Sequence, residues 1–264
     1  MVNVNQETIS QANEALQEKA PQINDAPSTN VDLMRGVYRD NSWQTTAVVR
    51  ELTGEDEESI SSFVSKKDLV YSEYMTELLK LALVSIGTIS LKDDPSIVED
   101  LIIGDRDLLF IGTMKATYGR FRDLEVGCSS CSTTNYVTLN LETDFKFEKP
   151  SIDMFKPLEV TLKDGSSVLI NYPKGSDSTY VAKKCNTVAE QNTAILARCS
   201  VWPNDASKNT EKWAKSLGIS DRSKLVKALT TDPPGPKMEE VDTQCAKCSK
   251  ELVILMDWVS LLLG

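Results

Sequence analysis

Histidine is absent from all 264 residues. That removes the Ser/His/Asp and Cys/His triads, His-ligated zinc and imidazole general-base catalysis, so an enzyme would lack the commonest tools. Basic residues are also scarce: 29 Lys and Arg against 39 Asp and Glu give a formal net charge of −10, with no basic tract. Phosphate affinity comes mainly from clustered Lys and Arg, so this balance argues against a general nucleic-acid binder. No apolar run approaches the ~20 residues of a membrane span. The nearest, "LVILMDWVSLLLG", is short and interrupted by Asp257. The opening "MVNVNQETISQANEALQ" has neither the basic start nor the apolar stretch of a secretory signal. The expectation is a chain made in a cytosol, without cleavable export and not membrane-embedded. In that reducing setting the six cysteines read as thiols or metal ligands rather than disulfides.

What is present is an ordinary globular composition, 41% hydrophobic, in an order that implies an α+β fold with a helical N-terminal half. Residues 1–40 are polar and read as an arm, extended or ordered only against a partner. Residues 41–127 read as a strand plus a two-helix core. "NSWQTTAVVREL" alternates Trp43, Thr45, Ala47 and Val49 as a strand does, and "TGEDEESISSFV" supplies a turn and a helix start. The run Glu55 to Glu58 fits a solvated first turn favoured by the helix dipole better than a metal cluster. Tyr71, Tyr74, Met75, Leu78, Leu79, Ala82, Leu83 and Ile86 repeat at three and four, predicting one helix that Gly87 ends. A second helix is expected from Asp94 as N-cap and Pro95, with Val98, Leu101, Ile102, Leu108, Leu109 and Gly112 inward.

Continuing that spacing lands on Asp105. Burying a carboxylate unpaired costs several kcal/mol. Three readings stand: an ion pair with Arg120 or Arg122, a contact to a backbone amide, or a place at the edge of the stripe.

Residues 128–177 read as a first Cys knuckle and a small antiparallel sheet, with a hairpin turn at Asp164-Gly165 in "LEVTLKDGSSVLINYP". Residues 178–234 read as a helical insertion. Val181, Cys185, Val188, Asn192, Ile195, Leu196 and Cys199 share one helix face, and two short helices follow, Ser220 an N-cap for the second. Cys185 and Cys199 would then lie about 21 Å apart along the axis and pack as core. Residues 235–264 read as a second Cys knuckle, a strand and an apolar C-terminal tail.

Cys128 and Cys131 form one Cys-x-x-Cys, Cys245 and Cys248 the other. Two such pairs suit a tetrahedral four-thiolate zinc site of ribbon type. The intervening segment far exceeds the roughly 15–20 residues of a compact ribbon, but "CSSCSTTNYVTLNL" and "CAKCSKELVILMDW" align without a gap. Ser132 pairs with Ser249, Val137 with Ile254, Leu139 with Met256 and Leu141 with Trp258. Each half is a knuckle feeding a strand. A redox pair needs a Cys-x-x-Cys at a helix start, which neither has; unmetallated cysteines packed as small apolar residues are the other alternative.

The ordered set "RELTGEDEESI", "LIIGDRDLLFIGTMKATYG", a Cys-x-x-Cys and "GPKMEEVDTQCAKCSKELVILMDW" resembles the T4-type contractile-tailed phage baseplate hub family, over roughly residues 43–142 and 235–258. The resemblance implies a non-enzymatic virion protein assembled in the host cytoplasm into the tail baseplate, its knuckles holding structural zinc. Implied partners are other baseplate hub and tail proteins, tail tube or tape measure components among them, in a homo- or hetero-oligomeric ring, with neither nucleic acid nor a small-molecule substrate. The alternative is a zinc-ribbon nucleic-acid-binding or transcription-associated protein. Against it, "SS" between Cys128 and Cys131 is neutral and only Lys247 and Lys250 flank the second pair.

Overall fold

The first half of the chain is organised by a four-stranded antiparallel sheet, β1 (Ser28–Arg39), β2 (Ser42–Arg50), β3 (Leu83–Ile86) and β4 (Ile89–Ser90), in that spatial order. In the computed structural model, residues 28–65, 69–145, 147, 152–201, 210–231, 233–236 and 243–252 are described. β1 corrects the expected arm, which had extended to residue 40. Val31, Leu33, Met34 and Val37 are buried, but a register shift between Asp32 and Val37 breaks the alternation that would have announced a strand. Asp40 and Asn41 both take positive φ in the two-residue turn to β2, a conformation these residue types tolerate. The remainder of the expected arm and the tail from residue 253 lie outside the described residues.

Four helices share a core with this sheet: α1 (Gly54–Val64), α2 (Tyr71–Ala82), α3 (Ile97–Asp100) and α4 (Ile103–Tyr118). α1 starts at a capping box in which Thr53 Oγ1 accepts from Asp56 N and the Asp56 carboxylate accepts from Thr53 N. Glu55, Glu57 and Glu58 are solvated as expected, but Asp56 is buried and paired with Arg50 at 2.6 Å. α2 ends four residues before the expected stop. Leu83–Ile86 instead form β3, Ile86 opposite Ala47, and Gly87 turns the chain into β4. The helix expected from Asp94 is two: Ser96, not Asp94, is the N-cap of α3, and Leu101 and Ile102 are extended before α4 begins. The break is held from outside, since Leu101 O accepts from Gly175 N and Ile102 bridges to Lys174.

α4 lies so close on β1 that a Cβ at Gly112 would sit 2.3 Å from Val31 Cγ2. Val31, Val49, Leu78, Leu79, Leu109, Phe110 and Met114 form the centre of the main core. The "GDR" triplet at its start ties three segments to this helix. Gly104 admits the backbone of Pro234, whose oxygen would be 1.9 Å from an added Cβ. Asp105 is fully buried and accepts from the backbone amides of Met34 at 2.6 Å, Gly36 at 2.8 Å and Arg35 at 3.2 Å. Of its three sequence readings, the backbone contact is the one observed. Arg106, also buried, donates to Ser72 O and Thr76 Oγ1 of α2.

The second half contains a two-stranded ribbon, β5 (Phe121–Gly127) with β6 (Thr134–Asn140), and a three-stranded antiparallel sheet, β7 (Leu158–Thr161), β8 (Ser167–Ile170) and β9 (Ser200–Val201). The single small sheet expected over 128–177 is therefore two. Its hairpin turn does fall at Asp164-Gly165, between β7 and β8. α5 (Gly175–Lys184), α6 (Val188–Cys199), α7 (Thr210–Ser216) and α8 (Ile219–Thr230) complete this half. A second core joins Val160, Val168 and Ile170 of the sheet to Leu196, Cys199, Leu225 and Leu229 of the helices, so the insertion's own body includes β7 and β8. The helix expected across Cys185 breaks there because Thr187 and Glu190 form a capping box that starts α6. Burial pushes the Cys199 thiol up to about 12, so it packs as an apolar side chain. α8 is capped by Gly218, with Ser220 inside its first turn. The fold is α+β. Among the described residues no helix is long and apolar enough to cross a membrane.

Candidate metal centre

Both Cys-x-x-Cys segments are turns at the ends of antiparallel ribbons. The first joins β5 to β6; the second joins β10 (Thr243–Gln244) to β11 (Glu251–Leu252). In the first, Ser132 N donates to Cys128 O and Cys128 N to Thr133 O, both at 2.9 Å. In the second, Ser249 N donates to Cys245 O at 2.9 Å and Cys245 N to Lys250 O at 2.8 Å. Ser132 and Ser249 take the same left-handed conformation, φ 55° and 56°. The gapless pairing of Ser132 with Ser249 is thus a pairing of backbone geometry. One expectation changes: each knuckle lies between two strands, where the sequence suggested a knuckle feeding one strand.

The four sulfurs lie within 4.8 Å of one another. Across the knuckles, Cys128 Sγ is 3.7 Å from Cys248 Sγ and Cys131 Sγ is 3.6 Å from Cys245 Sγ. A disulfide would need about 2.05 Å. A tetrahedral ion with Zn–S of about 2.3 Å separates its sulfurs by about 3.8 Å, which matches the cross-knuckle spacing. Cys128 and Cys245 are buried, with Val126, Val137 and Leu252 packed against them.

Backbone donors prepare the sulfurs for negative charge. The amides of Cys248 and Lys247 draw the Cys245 thiol down to about 6. The hydroxyl and amide of Thr133 lower Cys131. The Lys250 amide favours a thiolate at Cys248 too, but desolvation and the crowding of Cys131, Cys128 and Cys245 push that thiol up to about 11. Four adjacent thiols cannot all ionise unaided, and a divalent cation removes that repulsion. The donor set and spacing of Cys128, Cys131, Cys245 and Cys248 are compatible with zinc.

Asn135, unnoticed in the sequence, locks the two knuckles together. Its side-chain amide donates to Val126 O at 3.3 Å and Thr133 O at 3.0 Å, while its oxygen accepts from Ala246 N at 3.0 Å. It stands where Leu252 stands in the other knuckle, and both are buried. A polar residue on the inward face of an apolar strand was the available signal.

The family model described as T4 bacteriophage base plate protein matches residues 37–262, a span that takes in the "GDR" triplet and all four cysteines. No curated protein and no solved structure matches the chain.

Proposed function

The chain belongs to the T4 bacteriophage base plate protein family, and from that premise we propose that it is a structural and assembly subunit of the baseplate hub in a contractile tail. In this reading one zinc ion on Cys128, Cys131, Cys245 and Cys248 holds it together. As a virion tail baseplate component it meets other baseplate and tail proteins. Hub neighbours, with tail tube or tape measure components and a ring-shaped oligomer, form the finer proposal, assembled in the host cytoplasm.

The observation that carries the reading is the convergence of two geometrically matched knuckles, 114 residues apart from Cys131 to Cys245, on one four-sulfur cluster. Such a site supplies folding free energy that a thin ribbon cannot gain from its own core. With four thiolates it has no open position for a substrate, which supports a non-enzymatic role. Asn135 aligns the knuckles, and the amides facing Cys245 and Cys131 hold negative charge where the cation would sit.

Full-length protein purified without chelators is expected to carry about one zinc per chain. Cys128→Ser and Cys245→Ser should each lose the metal and fail to enter tail particles. Metal content near zero in the unaltered protein would remove zinc; complete tails built with both variants would remove the assembly role of the knuckles.

A further inference from the structure

Beside the β1–β2 turn, away from the metal centre, lies a cation-lined cleft of about 230 Å³. Its walls include Arg35, Arg39, Trp43, Asp100, Asn171 and Lys174. Arg35 is 9% exposed. Among the described residues its guanidinium makes a single hydrogen bond, from Nη2 to Asn171 Oδ1 at 3.1 Å, and it stacks 5.2 Å from the Trp43 ring centroid. Nε and Nη1 are left with no protein acceptor there. Burial draws the Arg35 pKa below its ordinary value, against the charge of Asp105, yet arginine remains a cation. Nε and Nη1 are not among the buried side-chain atoms that lack a partner, so the free edge of the guanidinium is open to an arriving anion, which it can bind by charge-assisted hydrogen bonds.

The other charges limit which anion fits. Asp100 already accepts from Arg39 Nη2 at 2.5 Å and Lys174 Nζ at 2.9 Å. Among the described residues of the wall, Arg35 is therefore the cation whose side chain donates to no carboxylate, and the Asp100 carboxylate repels a dianion more than a monoanion. The free edge of a guanidinium matches a carboxylate bidentately. Next to the cleft stands an aromatic shelf: Trp43 packs against Tyr38 and Phe155 at 5.4 Å and 5.3 Å, and these two are 49% and 44% exposed. Arginine with Trp and Tyr is the composition of interface hot spots.

We propose that this cleft docks an acidic segment of a neighbouring tail protein, one carboxylate seated on Arg35 and an adjoining apolar side chain on the Tyr38/Trp43/Phe155 shelf. The site requires a protein neighbour but not metal on the cysteines, so it stands or falls separately from the zinc reading.

The test uses nitrogen-15-labelled full-length protein and the peptide acetyl-Phe-Glu-Phe-Glu-amide, followed by NMR at the Arg35 Nε–H and Trp43 indole signals. Both signals should shift with the glutamate peptide and not with its glutamine counterpart, and Arg35→Gln should abolish the response. Asn171→Asp gives Arg35 an internal carboxylate while keeping the side-chain shape, and should weaken binding by about tenfold or more. This second variant keeps the test decisive if Arg35→Gln folds poorly. No shift, or an equal response to the two peptides, overturns the proposal. So does tighter binding of inorganic phosphate, or Arg35-dependent self-association without peptide, which would make a second copy the occupant.

Discussion

Replacing Asp105 with asparagine asks whether one buried carboxylate holds β1 onto α4. The side chain is fully buried, and both its oxygens act as acceptors, Oδ1 from Met34 N and Oδ2 from Gly36 N and Arg35 N. Asparagine supplies one acceptor oxygen, and its NH₂ faces a backbone donor whichever way the amide is turned. In the better orientation it retains Gly36 and Arg35 and abandons Met34. A hydrogen bond to a charged group contributes about 1.5–3 kcal/mol, and an abandoned buried donor costs about 1–3 kcal/mol. The expected loss is therefore about 3 kcal/mol, against a whole-domain stability of about 5–15 kcal/mol. With a urea slope of about 2 kcal/mol/M, the midpoint should fall by about 1.5 M with the slope unchanged. Far-UV circular dichroism at pH 7, on full-length protein at fixed zinc, reads this directly. Burial by itself pushes the Asp105 carboxyl upward, against the three amides and Arg35. A midpoint within about 0.3 M of the unaltered protein would therefore mean that Asp105 is already a neutral acid, which asparagine mimics, and the carboxylate argument would be refuted.

Asn135→Ala removes three hydrogen bonds, two within the first ribbon and one to Ala246 of the second knuckle, and should cost about 1–3 kcal/mol in urea unfolding while metal content stays unchanged. Gly112→Ala forces a methyl to 2.3 Å from Val31 Cγ2 and should destabilise by about 1–3 kcal/mol, with Val31→Ala in the same chain restoring part of the loss. Asp56 is desolvated, yet the Arg50 guanidinium and Thr53 hold its carboxyl below the ordinary value of 3.8. A lowered folded-state pKa contributes stability above the unfolded value and loses it as pH falls through the folded one. Asp56→Asn should therefore be less stable than the unaltered protein at pH 7, and the two stability curves should converge below about pH 3.8; parallel curves down to pH 2 would remove the Arg50 pair as the cause.

The parts of this architecture legible in the sequence are those that rest on local rules. The strand at Trp43, the amphipathic run from Tyr71 and the Asp164-Gly165 hairpin each declare themselves within a dozen residues, and the Cys-x-x-Cys pairs by the likeness of two short segments. At three places a distant partner overrides a local pattern. Leu83–Ile86 continue a helical stripe but pair with β2. Leu101 and Ile102 stand inside a helical period but are pulled extended by Gly175 and Lys174. β1 was hidden because its bulge wraps around Asp105, 70 residues away. The helix break at Thr187 has a local signal, since "TVAE" is a capping-box pattern. The clustering of the four cysteines could be read from spacing and internal similarity, whereas the role of Asn135 depends on Ala246, which only the closed cluster brings near.

The separation of the two knuckles fixes an order of events during synthesis. Once Cys131 has left the ribosome, 114 further residues must be added to reach Cys245, about 6–23 s at 5–20 residues per second. Within that interval the whole second core, Val160 to Leu229, is made. Domains generally fold as units in the order they emerge. The first ribbon therefore waits with half a cluster while the body between the knuckles becomes compact, and that compaction shortens the loop the last step must close. In the proposed zinc reading, metal capture would come at the end, coincident with the joining of the two ribbons, and an occupied site would be a record that everything between Cys128 and Cys248 has been made and brought together.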